Sequence, residues 1–329
     1  MVDSVCVFCV TSIALAMGSF VCTLAEGKYH VGVGALVNSL HAAGFRGWFY
    51  CGYRGKLPDW FKTHKELFKG RRLMEVDGIH VVYVPLETDI HFTNYKPQFM
   101  LDILDELGSK AQRIFYFDPD IVVKCRMQML EWWCRDGVAL CEGSMGNMPD
   151  RHPLRIGWRE WLKSQGYSSF VPRDKYFNAG FVGVENTNTE VLKMWQRIIK
   201  QIGQANGTLD KLVVSSRDNI FYIPDEYALN MALMCSVVNV NSSGLEGMDF
   251  KPQGNLLSHY GGRPKPWDRH FIRGALKGQC PTLGARLFAK MLVRPLRVMP
   301  QFHVLLLRFR ITLAAQISRF IKQTQYACN

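Results

Sequence analysis

The chain has 329 residues, of which 48% are hydrophobic, and this combination excludes an intrinsically disordered protein. Lysine and arginine together exceed aspartate and glutamate by 12. The excess is confined to one end: residues 269–329 contain 11 basic and no acidic residues, whereas residues 1–268 contain 29 basic and 28 acidic ones. Nucleic acid is not a predicted partner, because no base-stacking platform accompanies the basic residues.

The N-terminal residues and the cysteines give information on the cellular compartment of the protein. The segment from Ser4 to Ala25 carries no charge, and it is long enough to cross a bilayer. Asp3 stands where a signal sequence carries basic residues, and the second half of the segment has the composition of a core strand. We therefore predict an apolar extension over residues 1–18, with Met17 as a candidate natural start. The ten cysteines form no C-x-x-C pair, which favours reduced thiols and a cytoplasmic protein.

Strands and helices alternate along residues 19–268. Apolar, β-favouring runs predict strands at 19–24, 48–51, 78–84, 113–117, 138–141 and 176–184. Periodic or charged segments predict helices at 31–44, 66–72, 99–107, 155–166, 190–202 and 225–233. A tight Asn178-Ala179-Gly180 bend is expected at the start of the last strand. The alternation predicts one Rossmann-like α/β domain with a mixed, mostly parallel central sheet.

Two carboxylates end the fourth predicted strand, in the sequence Asp118-Pro119-Asp120. Pro119 donates no N–H, so the chain leaves the sheet here and both carboxylates enter one small space. Like charges this close repel unless a cation lies between them, and oxygen ligands suit Mg²⁺ or Mn²⁺. The alternative is a simple turn that ends a strand.

Four motifs together carry a family resemblance. They are Asp118-Pro-Asp120, Phe177-Asn-Ala-Gly180, Asp225-Glu-Tyr-Ala-Leu-Asn230 and His259-Tyr-Gly-Gly-Arg-Pro-Lys-Pro-Trp267. In this order they resemble glycosyltransferase family 8, which includes glycogenin-like and bacterial lipopolysaccharide galactosyltransferase-like enzymes. The resemblance covers about residues 19–268. It implies a GT-A fold, a UDP-sugar donor, a glycan or lipid-linked acceptor, and retention of anomeric configuration.

The resemblance also implies roles for individual residues. Asp118, Asp120 and His259 would bind the divalent metal, Mn²⁺ or Mg²⁺. Asp225 and Glu226 would be catalytic; Glu226 stands where the family often has glutamine, and it would act as a charge stabiliser or transient nucleophile unless transfer is front-face. The donor would contact Leu24, Ala25, Tyr29, Lys96, Asp118, Asn178, Ala179, Gly180, Gly262 and Lys265. For Lys96, a solvated surface lysine is an equal alternative.

For two further segments, the residue types themselves suggest a function. Arg155, Trp158 and Trp161 are a candidate acceptor wall, because aromatic faces stack on sugars and arginine binds anions; the alternative is an ordinary core stripe. Residues 269–329 form a tail in which Phe302 to Phe320 place apolar residues on one helical face and Arg308, Thr312, Arg319 and Lys322 on the other. Such a helix suits an anionic membrane surface; the alternative is packing on the body or in a dimer.

We therefore predict a metal-dependent glycosyltransferase that is cytoplasmic and peripheral on the inner membrane face. A sugar nucleotidyltransferase of related fold is the first alternative. It would carry a glycine-rich basic phosphate loop, for which Leu24-Ala-Glu-Gly-Lys28 is a poor match. The second alternative is a non-catalytic nucleotide-sugar-binding protein, against which the intact metal ligands argue.

Overall fold

A computed structural model describes residues 18–327, except residues 63, 263 and 269 and the side chains of 322–327. Residues 1–17 of the predicted N-terminal extension, including Met17, and the side chain of Lys322 lie outside the described residues, and Gly18 begins β1. The strands are β1 Gly18–Glu26, β2 Gly47–Arg54, β3 Lys65–Glu66, β4 Arg72–Val76, β5 Ile79–Pro85, β6 Ala111–Phe117, β7 Ile121–Val123, β8 Val138–Asn147, β9 Lys175–Glu185, β10 Val240–Ser243 and β11 Leu257–His259. The helices are α1 His30–Ala42, α2 Phe92–Leu107, α3 Met127–Trp133, α4 Pro153–Ser164, α5 Glu190–Asn206, α6 Pro224–Met234, α7 Phe271–Ala275, α8 Leu283–Lys290 and α9 Gln301–Ala327.

The central sheet has nine strands in the order β10-β8-β9-β6-β1-β2-β5-β4-β3. The four strands β6, β1, β2 and β5 are parallel, and only β9 and β4 run against the other described strands of this sheet. One hydrophobic core lies between the sheet and α2, α5 and α6, and a second lies on the side of α1 and α3. The predicted mixed, mostly parallel α/β sheet is confirmed.

Two predicted elements are wrong in type. No α-helix forms over residues 66–72: β3 and β4 pair as a hairpin at the sheet edge, and a short 3-10 turn at Phe68–Gly70 lies between them. In β4, Met74 and Val76 are buried at the two-residue period of a strand. The Asn178-Ala179-Gly180 segment is not a bend but lies within the continuous strand β9. The register against β8 shifts across this segment, between the Leu140–Val182 pair and the Glu142–Phe177 pair, so the strand is irregular there.

The C-terminal helices pack on the body. The Asn38 side chain of α1 donates to the carbonyls of Met291 and Leu296, 2.6 and 2.7 Å away, and accepts from the Leu296 N–H. Val298 packs against Gly34, where a β-carbon would come within 2.6 Å of it. The segment after α8 is thereby attached to the first helix of the domain. The proposed boundary at residue 268 stays a prediction.

Helix α9 has two apolar faces where one was predicted. Val304, Ile311 and Ala314 are buried against α7, α8 and their connections. The opposite face carries the predicted apolar series, of which Phe302 and Phe309 are 72% and 62% exposed. The helix therefore packs on the body and also presents an apolar face to solvent. Among the described helices, none combines the length and the apolar character needed to cross a bilayer.

Candidate active site

The sheet positions the Asp118-Pro119-Asp120 turn at its carboxyl edge. Strand β6 ends at Phe117, whose carbonyl accepts a 2.7 Å hydrogen bond from the Thr23 hydroxyl of β1. The Asp118 N–H donates to the Gly180 carbonyl of β9 at 2.7 Å, and the Ile121 N–H closes the turn on the Asp118 carbonyl at 3.0 Å. Hydrogen bonds thus connect the end of β6 and the turn to both neighbouring strands, β1 and β9. The turn lies at the carboxyl edge of the sheet, where open α/β sheets bind their ligands.

His259 reaches this turn through a separate two-stranded sheet. Strand β11 pairs antiparallel with β7, which directly follows the turn, and His259 lies opposite Ile121. The Tyr260 N–H donates to the Asp120 carbonyl at 3.1 Å. Backbone pairing therefore fixes the histidine beside the two aspartates, although it is distant from them in sequence.

Asp118, Asp120 and His259 form a compact group of candidate metal ligands. The His259 Nε2 atom lies 3.4 Å from Asp120 Oδ1 and 3.7 Å from Asp118 Oδ2, and one ligand atom of each residue lies within 4.8 Å of the others. An octahedral ion with bonds of about 2.1 Å holds adjacent ligands about 3 Å apart and opposite ones about 4.2 Å apart. Two carboxylates and one imidazole at these separations therefore fit a single divalent ion such as Mn²⁺ or Mg²⁺.

The charges around Asp120 favour its ionised form. Burial opposes ionisation, but His259 and the Lys265 ammonium, which contacts the other carboxylate oxygen, lower the pKa of Asp120 to about 2. Burial lowers the pKa of His259, and the two carboxylates more than offset this and raise it. Lys265 also donates to the Tyr260 carbonyl at 3.2 Å, which fixes the ammonium beside the ligand group.

Lys96 of α2 is buried between two carboxylates. Its ammonium lies 3.0 Å from Asp118 Oδ1, 3.0 Å from Asp225 Oδ2 and 3.0 Å from the Ala179 carbonyl oxygen, so all three N–H groups have acceptors. Burial alone would lower the pKa of Lys96, but Asp118 and Asp225 raise it above its usual value. The lysine is therefore a buried charge that joins the metal-binding turn to the start of α6, and not a solvated surface residue.

Two glycines allow the backbone to approach the ligand group closely. A β-carbon at Gly32 of α1 would lie 2.2 Å from the Pro119 carbonyl oxygen. At Gly180 it would lie 2.7 Å from His259 Cε1 and 3.0 Å from Asp118 Oδ2. The sequence reasoning included Gly180 but missed Gly32, because only the packing of α1 on the turn reveals its role.

A cavity of about 590 Å³ opens over the ligand group. Thirteen of the residues predicted to bind metal or donor, or to act in catalysis, line it together: Leu24, Ala25, Tyr29, Lys96, Asp118, Asp120, Asn178, Gly180, Asp225, Glu226, His259, Gly262 and Lys265. Tyr29 packs edge-on against Trp267, with ring centroids 5.5 Å apart, and the Lys265 ammonium lies 5.7 Å from the centre of its ring. Gly262 has φ +76°, a conformation that side chains rarely adopt.

Helix α6 brings two acidic residues to the other end of the cavity. Asn230 joins this helix to β9: its side chain accepts from the Phe177 N–H at 2.9 Å and donates to the Phe177 carbonyl at 2.8 Å. The Asp225 side chain is buried, with Oδ2 on Lys96 and no hydrogen-bond partner at Oδ1 among the described residues. Sequence reasoning quoted Asn230 within a motif but gave it no role.

Glu226 is held by an amide. The Asn178 Nδ2 group donates to Glu226 Oε2 at 2.6 Å, while Asn178 Oδ1 accepts from the Gly180 N–H at 2.8 Å. Burial, followed by the nearby Asp225 carboxylate, raises the pKa of Glu226 to about 7. Asn178 thus lines the cavity, but both ends of its amide are engaged within the protein.

Two predicted groups are not where they were expected. Ala179 is buried, and it contributes its carbonyl to Lys96 and does not line the cavity. The expected acceptor wall is wrong for Arg155 and Trp158, which are fully buried. Trp158 donates to the Ile220 carbonyl and Arg155 donates to those of Met148 and Lys175, because α4 supports the loops beside the cavity.

Trp161, the third predicted member of the wall, packs edge-on against Phe221. Their ring centroids are 4.8 Å apart. This contact belongs to the same core cluster as Trp158, so the spacing of the tryptophans reflects an interior face of α4.

Among the comparisons with known proteins, only the comparison with solved structures bears on the fold. No family model matches the sequence, and no curated protein matches it. A crystal structure of an active-site mutant of LgtC, in which a glutamine is changed to glutamate, aligns with 86% of this chain and 98% of its own, with a TM-score of 0.51 and 17% identity. This likeness confirms the predicted GT-A fold.

Two further structures have TM-scores of 0.49. The galactosyltransferase LgtC in complex with donor and acceptor sugar analogues is 16% identical over 86% of this chain and 98% of its own. The apo structure of the bifunctional glycosyltransferase WbbM is 14% identical over 89% of this chain and 52% of its own.

Proposed function

We propose that the protein is a metal-dependent glycosyltransferase that transfers a hexose from a UDP-sugar to a glycan or lipid-linked acceptor with retention of configuration. The observation that carries the proposal is the group formed by Asp118, Asp120 and His259 on the floor of the cavity. A divalent ion held there would act as a Lewis acid on the diphosphate leaving group.

The two ends of the cavity suit the two ends of such a donor. Tyr29 offers an aromatic face for the uracil ring, and Lys265 and the open backbone at Gly262 suit the diphosphate. At the other end, Asp225 Oδ1 is a buried acceptor for a sugar hydroxyl. The lining of the cavity thus offers partners for a nucleoside, a diphosphate and a sugar.

Glu226 is the proposed catalytic carboxylate. The hydrogen bond from Asn178 orients it towards the cavity, where it would stabilise positive charge that develops at the anomeric carbon. In front-face transfer, the departing phosphate takes the acceptor proton and Glu226 has only this stabilising role. Asp225 would position the sugar, since Lys96 holds its other oxygen.

The function is tested by measuring UDP release from a panel of UDP-sugars with metal-free protein, with and without added Mn²⁺. We expect release that depends on Mn²⁺ and on at least one UDP-hexose. Pyrophosphate release from a nucleoside triphosphate and a sugar phosphate would instead identify a nucleotidyltransferase. Absence of both reactions, together with tight UDP-sugar binding, would identify a non-catalytic binding protein.

The exposed face of α9 is proposed to bind an anionic membrane surface. It presents Phe302, Leu305 and Phe309, and the exposed Arg308 and Arg310 lie beside them. Aromatic insertion and basic flanks are the features that hold helices at anionic lipid interfaces. A protein held there on the inner face of the membrane would meet a lipid-linked acceptor.

Replacing Phe302 and Phe309 together with serine is expected to weaken binding to vesicles that contain phosphatidylglycerol by at least about tenfold. The reason is that two exposed apolar side chains no longer enter the lipid. Vesicle co-sedimentation measures the effect, and Phe68→Ser, at an exposed position on the body, is the matched control. Equal sedimentation of the double variant and the control would contradict membrane binding by this face.

A further inference from the structure

The sugar end of the cavity contains a carboxylate with no cationic partner. Glu226 Oε2 accepts from the neutral amide of Asn178, and no described lysine or arginine side chain forms an ion pair with it. Asn178 Oδ1 accepts from the Gly180 N–H, and this bond holds the amide with its NH2 group towards Glu226. Glu226 therefore contributes a negative charge that no salt bridge among the described residues balances, and its neighbours on β9, the Asn178 amide and the Tyr176 hydroxyl, are neutral.

The nearest buried cation is already fully used. Each of the three ammonium N–H groups of Lys96 has an acceptor, on Asp118, Asp225 and Ala179. Lys265, on the same cavity, is bonded to Asp120 and to the Tyr260 carbonyl. Lys96 therefore has no N–H left for an anionic group on the sugar. Lys265 has two of its three N–H groups engaged, and it lies beside Asp120, where the proposed function places the diphosphate. Asp225 Oδ1 is a buried acceptor with no partner among the described residues.

We infer that this end of the pocket accepts neutral hexoses and rejects hexuronic acids. The inference rests on the proposed function, in which the cavity binds a nucleotide sugar. Sugar hydroxyls would donate to Asp225 Oδ1 and to Glu226, so a neutral hexose satisfies both carboxylates. A uronate carboxylate has no proton to donate to these oxygens, finds no free N–H on Lys96 and lies in the field of Glu226, a like-charge contact that disfavours binding.

The ionisation of Glu226 supports the same discrimination. Tyr176 and Asn178 face its carboxyl group from β9, Lys96 from α2 and Asp225 from its own helix. Burial and Asp225 raise the pKa of Glu226 to about 7, so the group is mostly ionised at pH 8. Discrimination against a uronate is therefore tested at that pH.

The test is equilibrium binding of UDP, UDP-glucose, UDP-galactose, UDP-glucuronate and UDP-galacturonate to the full chain with Mn²⁺ at pH 8. We expect both uronates to bind at least about tenfold more weakly than the matching hexoses, and more weakly than UDP. Glu226→Gln removes the charge and is expected to reduce the hexose-to-uronate ratio severalfold. Glu160→Gln, at an exposed position of α4, is expected to keep the ratio of the unchanged protein.

Two results would overturn the inference while leaving the proposed function intact. One is equal binding of uronates and hexoses to the unchanged protein, which needs no variant to fold. The other is an unchanged ratio in Glu226→Gln with a melting temperature close to that of the unchanged protein. Failure of UDP and all UDP-sugars to bind is a different result, since it rejects the nucleotide-sugar site itself and the inference with it.

Discussion

Asp120→Asn is expected to lower Mn²⁺-stimulated UDP release by at least about 100-fold. The Asp120 side chain is 3% exposed and lies in contact with both His259 and Lys265. An amide keeps its shape but loses the charge that binds the metal, and a Lewis-acid metal is worth several kcal/mol at about 1.4 kcal/mol per tenfold in rate. Initial rates of UDP release over a range of Mn²⁺ concentrations measure the effect.

Asp268→Asn is the matched control for this variant. Asp268 lies in the same C-terminal loop as Lys265, but it is 40% exposed and pairs with Lys28 at the surface. Its loss is expected to leave the rate within about twofold, because exposed pairs contribute little. Full Mn²⁺-stimulated activity in Asp120→Asn would show that this carboxylate does not bind the metal.

Lys96→Met is expected to lower the free energy of unfolding by about 3–5 kcal/mol. Methionine fills the same volume but leaves the carboxylates of Asp118 and Asp225 without their shared cation, and removal of one partner from a buried ion network has this magnitude. Urea denaturation monitored by tryptophan fluorescence measures the change in the free energy of unfolding. We expect the slope of this free energy against urea concentration to be the same for both proteins. Metal-free protein is used, so that no added ion replaces the ammonium.

A second substitution distinguishes lost charge balance from lost packing. Lys96→Met combined with Asp225→Asn removes one of the two unpaired charges, and we expect it to recover part of the stability. Lys193→Met, at an exposed position of α5, is the control and is expected to change stability by less than about 0.5 kcal/mol. A Lys96→Met protein as stable as this control would contradict the proposed role of Lys96.

Sequence reasoning located the metal-binding turn because its signal is local. Apolar residues lead into Asp118-Pro119-Asp120, and a proline between two acids at a strand end is visible without any tertiary information. The motif from His259 to Trp267 was recognised as a string of residue types. Its position beside the turn depends on the pairing of β7 with β11, which no spacing along the chain reveals.

The misassigned residues show where local patterns are ambiguous. Trp158 and Trp161 share a helical face, and a face of this kind packs equally well on a sugar or on the protein interior. Only the hydrogen bonds of α4, from Trp158 to the Ile220 carbonyl and from Arg155 to the Lys175 carbonyl, establish that both side chains are interior. Similarly, the basic residues of 66–72 suggested a helix, whereas pairing at the sheet edge made the segment a hairpin.

The central claim is that Asp118, Asp120 and His259 share one divalent ion, and calorimetric titration of metal-free protein with Mn²⁺ tests it most directly. We expect one Mn²⁺ per chain for the unchanged protein. Asp118→Asn, Asp120→Asn and His259→Gln are each expected to weaken binding at least about tenfold, because each removes a ligand of the same ion. Unchanged Mn²⁺ affinity in all three variants would contradict the claim.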